Sequence, residues 1–139
     1  MATLYDYIAS LEVNGEPVVW SNVPLSKSEL DAAGRRPYIY VTEKTESSFK
    51  PLYDNVDVIQ LFVNAHIFQP PDDVGSYPDK SDAMQLYFDL YEAPKHVDAW
   101  TYGQPLIDMF RDVAQPPIAD EDTYGLYGHI RFRLLFPRG

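Results

Sequence analysis

The chain carries three histidines, His66, His96 and His129, and no cysteine. Without cysteine there is no disulfide framework, no thiolate nucleophile and no Cys-ligated zinc site. No two histidines stand at the spacing of roughly three to five residues that places both on one metal. A metal site or a catalytic base would need them to converge in space, and the plain alternative is ordinary surface or strand histidines. Asp120-Glu121-Asp122 gathers carboxylates just before Gly125, and hard cations such as calcium take oxygen ligands from such loops. The longer pattern of an EF-hand is missing, so this segment reads as a solvated acidic turn ahead of a strand, and Asp72-Asp73 reads the same way. No serine stands in a Gly-x-Ser-x-Gly elbow, and the glycines form no phosphate-binding loop. These residues give no support to acyl or phosphoryl transfer. The expectation is a protein that is not an enzyme and needs no cofactor.

Two basic spots remain. Gly34-Arg35-Arg36 is the densest, and a rim salt bridge to an acidic neighbour explains it better than a phosphate site. Arg131 and Arg133 project from one face of the final strand, where they could meet carboxylates across an interface or face water. Twenty-one acidic residues against eleven basic ones give a formal charge of −10. Such a balance repels a phosphate backbone and argues against sequence-specific nucleic-acid binding. An acidic surface could still line a path for DNA without gripping it. No apolar run reaches the roughly 18 to 20 residues that cross a bilayer, and the N-terminus lacks the basic region of a signal peptide. The expectation is a soluble protein with no membrane partner, made in the cytoplasm.

The elements that must position these residues follow from periodicity. Ala2 to Val13 places Leu4, Tyr7, Ile8 and Leu11 at helical spacing, with Asn14-Gly15 as a C-cap. Val18-Val19-Trp20 is a short apolar run, and Ser26 to Leu30 could form a helical turn. Tyr38 to Thr42 reads as a strand, and Lys44 to Asn55 as a polar connection. Val56 to Phe68 alternates apolar and polar residues and is the strongest strand signal in the chain. Gln69 to Pro78 is a proline-rich loop. Ser81 can cap a helix through Tyr91 that is apolar on most of its circumference, and so either packed on two sides or covered by a neighbouring subunit. Pro94 ends it. A further helix is expected over Gln104 to Ala114, with Pro105 in its first turn and Leu106, Met109, Phe110 and Val113 on one face. Tyr124 to Phe136 closes the chain as an amphipathic strand. With 139 residues of which 45% are hydrophobic, one domain spanning the whole chain is expected. Its class is α+β: a mainly antiparallel sheet of roughly three to five strands packed against two or three helices. Eleven tyrosines, seven phenylalanines, two tryptophans and twelve prolines suit core packing, and also suit a subunit with neighbours on both sides.

Leu4 to Leu11, Arg36-Pro37-Tyr38-Ile39, Val58-Ile59-Gln60-Leu61-Phe62-Val63, and Asp120-Glu121-Asp122-Thr123-Tyr124-Gly125-Leu126-Tyr127 leading into Ile130-Arg131-Phe132 follow one another in this order. That order resembles the tail terminator, or tail-completion, proteins of long-tailed bacteriophages. It covers nearly the whole chain, through short and degenerate motifs. Two departures stand out: the loop from Gln69 to Pro78, where the family moves more directly into a helix, and the break at Pro94. The resemblance implies an α+β protomer forming a hexameric ring on the last ring of the tail tube, at the neck of the virion. The ring would stop tube polymerisation and offer a surface to the head-neck connector, so its partners would be further copies, the tail-tube protein and the connector. The candidate interface residues are Phe49, Lys50, Pro70, Pro71, Tyr77, Asp120, Asp122, Arg131 and Arg133. A head-completion or neck adaptor protein of the same particle is the close rival. A small-molecule-binding protein or hydrolase using His66, His96 or the Asp120 cluster is the rival from another class.

Overall fold

The computed structural model describes residues 2–23, 26, 28–29, 36–46, 58–71, 77–100, 104–122 and 124–137. Helix α1 (Leu4–Ser10) leads into a small hairpin of β1 (Glu12–Val13) and β2 (Glu16–Pro17). β3 (Val19–Ser21), β4 (Tyr38–Glu46) and β5 (Val58–Gln69) follow, then helix α2 (Ser81–Tyr91) and a short 3-10 turn at Ala93–Lys95. β6 (Asp108–Asp120) and β7 (Gly125–Pro137) form a long closing hairpin. The main sheet has five strands in the order β3-β4-β5-β7-β6. Only the β3–β4 pairing is parallel. The chain is therefore α+β, with a mainly antiparallel sheet packed against helices.

Helices α1 and α2 lie on the same side of this sheet. Leu4 and Ile8 of α1, and Ala83, Leu86 and Leu90 of α2, are buried against Ile39 and Val41 of β4, Leu61, Val63, Ala65 and Ile67 of β5, and Ile130, Phe132, Leu134 and Phe136 of β7. These sheet residues are alternate positions of their strands, as the period of two requires. Burying each large apolar side chain contributes roughly 1.5–3 kcal/mol. Thr3 starts α1 with a capping box: its hydroxyl accepts from the Asp6 amide at 3.1 Å, and the Asp6 carboxylate accepts from the Thr3 amide at 3.2 Å.

The structure corrects four sequence expectations. Asn14-Gly15 is not a helix C-cap. Both residues have positive φ, 53° and 80°, and they join β1 to β2 with Val13 opposite Glu16, which is the geometry that Asn-Gly prefers in a two-residue hairpin. Helix α1 accordingly ends at Ser10. Ser81 does not cap α2 with its side chain; instead the Asp79 carboxylate accepts from the Ser81 amide at 2.7 Å. The connection expected from Lys44 is still β4 as far as Glu46.

The largest correction is that Gln104 to Ala114 is not a helix. From Asp108 onward it is β6, paired antiparallel to β7. The register slips by one residue between Arg111 and Val113, leaving Asp112 as the extra residue of a bulge. The bulge puts Phe110 and Val113, three apart, opposite Arg133 and Arg131 on one face of the strand. A bulged strand thus reproduces the three-residue spacing of a helix face. A second irregularity between Gln115 and Ile118 accommodates Pro116-Pro117, which belong on an edge strand because they cannot donate to a ladder. Gly128 of β7 makes room for it: a Cβ there would lie 2.9 Å from the Pro117 nitrogen and 3.1 Å from the Gln115 carbonyl oxygen.

Candidate functional site

Among the described residues no helix packs on the second face of the sheet, and its residues form rows that run across the strands. From β4 through β5 and β7 to β6, one row is Tyr38, Phe68, Tyr127 and Ile118. The next is Tyr40, His66, His129 and Gln115, followed by Thr42, Asn64, Arg131 and Val113, and then Lys44, Phe62, Arg133 and Phe110. Most of these side chains are half-buried; Tyr38 at one end is buried, as are Gln60 and Leu135, which pair across β5 and β7 beyond the last row.

The histidine row is a stack of parallel rings. Tyr40 and His66 lie 4.4 Å apart with 13° between planes, and His66 and His129 lie 4.8 Å apart with 11° between planes. His66 Nδ1 is 2.6 Å from the Tyr127 hydroxyl, and His129 Nε2 is 2.9 Å from Asn64 Oδ1. Desolvation, then the charge of His129, lowers the His66 pKa to about 4. Desolvation and then Arg131 lower that of His129. With both rings neutral, flat stacking has no like-charge repulsion to overcome. Burial also raises the Tyr40 and Tyr127 hydroxyls above the usual phenol range, Tyr127 with a second contribution from Tyr40.

The two arginines share one carboxylate. Arg131 Nη2 is 3.4 Å from Asp112 Oδ2 and Arg133 Nε is 3.6 Å from Asp112 Oδ1. Each guanidinium also lies 5.0 Å from a ring centroid, Arg131 over Phe62 and Arg133 over Phe110, within cation–π range. Asp112 is thus the carboxylate that both guanidiniums approach. Along β6 the same face ends in exposed apolar side chains: Phe110 at 37%, Val113 at 40% and Ile118 at 49% of full accessibility.

The predicted interface residues separate into two groups. Asp120 and Asp122 form the β6–β7 turn, where the Asp120 carboxylate accepts from the Asp122 amide at 3.1 Å and the Asp120 carbonyl accepts from the Tyr124 amide at 2.8 Å. Tyr77 reaches this end, with its ring 5.7 Å from that of exposed Tyr124. Pro70, buried, and Pro71, half-buried, follow directly on β5, whose last residue Gln69 pairs with Leu126 at the same end of the sheet. Arg131 and Arg133 lie farther along the open face. Phe49 and Lys50 lie outside the described residues, as does the Asp72-Asp73 pair. Arg36 pairs with Glu16, as expected for a rim salt bridge.

His66 and His129, isolated in the sequence, come together because β5 and β7 are neighbours in a register that sets them opposite each other. Each occupies the polar phase of an alternating strand, and that was the available signal; the pairing partner and register were not readable. His96 does not join them. It stacks on Tyr7 of α1 at 5.1 Å, on the helical side of the sheet. The small-molecule or hydrolase reading needed these groups in one concave apolar pocket. They are instead divided between the open face, the helical side and the closing turn. Among the described residues no group of three or more His, Asp or Glu side chains could hold a metal ion. No protein-family model matches the chain, and no curated protein matches it significantly.

Proposed function

We propose that this chain is a structural subunit that works by assembling, and that the assembly is the terminator ring of a long-tailed phage. In this reading copies of the chain, six by the resemblance, close a ring on the last ring of the tail tube, end its polymerisation, and present the opposite side to the head-neck connector. The subunit would be made in the host cytoplasm and act at the neck of the virion. The observation that carries it is the sheet face turned away from α1 and α2, with its stacked rings, two arginines sharing one carboxylate, and an exposed apolar margin along β6. Such a mixture of aromatic and arginine side chains around apolar contacts is what protein interfaces use. The ordered sequence motifs supply the family.

Mixing the purified protein with polymerising tail-tube protein tests the proposal by electron microscopy. Tubes should become capped at one end and shorter as the chain is added. If tube length is unaffected and the protein decorates portal complexes instead, the reading gives way to a neck adaptor.

A further inference from the structure

The turn of the β1–β2 hairpin is made by the one Asn-Gly pair in the chain. Both residues are exposed, both hold positive φ, and a Cβ built on Gly15 would meet nothing within 4 Å. In an Asn-Gly pair the next backbone nitrogen reaches the side-chain amide carbon with least hindrance, because glycine has no side chain to obstruct the approach. The other asparagines, Asn22, Asn55 and Asn64, are followed by valine or alanine. The Asn14 amide also has a structural role. Its Nδ2 donates to Asp82 Oδ2 at 3.1 Å, which ties the hairpin to the first turn of α2. Val13, next to it, is buried in the core that Ala83 and Leu86 of α2 share.

We infer that Asn14 is a site of spontaneous deamidation, and that its conversion releases the β1–β2 hairpin from α2. The Gly15 nitrogen gives its proton to solvent and attacks Asn14 Cγ. The new N–Cγ bond closes a cyclic imide, and the Cγ–Nδ2 bond breaks as ammonia leaves with a proton from water. A water molecule then opens the imide at one of its two carbonyl carbons. Opening at Cγ restores the backbone with aspartate in place of asparagine, and opening at the Asn14 backbone carbonyl gives isoaspartate. No electrons are exchanged: one water enters and one ammonia leaves. A carboxylate accepts hydrogen bonds and has no hydrogen to donate, so in the aspartate product the tie to Asp82 becomes two like charges facing each other. Isoaspartate lengthens the backbone of a two-residue turn and displaces the pairing of Val13 with Glu16. Either product loosens the hairpin where it meets α2.

Ageing the folded protein in mildly alkaline buffer, followed by peptide mapping by mass spectrometry, tests the modification. Acid in place of amide should accumulate at Asn14 several times faster than at Asn22, Asn55 or Asn64. Thermal unfolding of Asn14→Asp, Asp82→Asn and the two combined tests the consequence. Asn14→Asp should melt a few degrees below the wild type. Adding Asp82→Asn should recover most of that loss, because an amide again faces a carboxylate. If Asn14→Asp alone does not fold, the combined variant should. Three results would each overturn the inference: Asn14 intact in the folded protein under conditions in which the urea-unfolded chain converts there, an Asn14→Asp chain as stable as the wild type, or a combined variant no more stable than Asn14→Asp.

Discussion

The two faces of the central sheet are built from the same strands by simple alternation, and they are held in different ways. On the helical face, Leu61, Val63, Ile130 and Phe132 reach full burial under α1 and α2. On the open face, Phe62, Asn64, His66, His129 and Arg131 are only half-buried, and they are held by ring stacking, cation–π contacts and two hydrogen bonds from the histidines. Burial on the first face supplies stability. Pairwise contacts on the second add comparatively little, roughly 0.5–1.5 kcal/mol for each aromatic pair beyond its area. Their importance is to hold a shaped, charged surface in place.

Substitutions should expose this asymmetry. The greatest loss is expected for Phe132→Ala, which empties a fully buried position under the helices. Urea unfolding should show a loss of about 3–5 kcal/mol, and a loss near that for Phe62→Ala would mean that the faces are equivalent. Gly128→Ala comes next. Its Cβ has no space beneath the Pro116-Pro117 irregularity, and a cost of roughly 1–3 kcal/mol is expected, read as a lower melting temperature.

Acidification acts on the open face through its histidines. His66 has a folded pKa of about 4 against an ordinary 6.5, so above pH 6.5 the ring is neutral in both folded and unfolded chains and contributes no pH dependence. As pH falls from 6.5 towards 4 the unfolded chain takes up the proton first and stability declines; below 4 both states are protonated and the loss levels off. After discounting for the water that still reaches the ring, the loss is roughly 1–2 kcal/mol. His66→Phe should flatten that part of the pH–stability curve while keeping the stack, and an unchanged slope would point to other groups. The smallest effect is expected for Asp112→Asn. Its ion pairs are long, so unfolding free energy should change by less than about 1 kcal/mol. A loss well above that in urea unfolding would show that the cluster holds β6 to β7 more firmly than its distances suggest.

Much of the architecture was legible because alternation and helical spacing are local. β5, β7 and both helices follow directly from the placement of Ile59 to Ile67, Ile130 to Phe136, Leu4 with Ile8, and Leu86 with Leu90. β6 was not legible, because the bulge at Asp112 shifts its alternation by one and places Phe110 and Val113 at the spacing of a helix. Pairing with β7 then decides the conformation, a tertiary effect that local propensity does not contain. Asn14-Gly15 could have been read correctly, since these two residues are a stronger signal for a hairpin than for a helix end. The open face was only partly visible. Arg131 and Arg133 were singled out on their strand, but the stack of Tyr40, His66 and His129 needs three separate strands in register, and no local pattern encodes that.

The irregularities in β6 also bear on how the chain survives at high concentration. A sheet with unpaired edge strands invites other chains to lengthen it sideways, strand upon strand, into fibrils. At one margin β3 is three residues long, too short to template such growth. At the other, Pro116 and Pro117 remove two amide donors and the displaced residue at Asp112 breaks the ladder. Both margins are therefore poor templates for strand addition, and the sheet keeps a fixed width even when the protein is crowded.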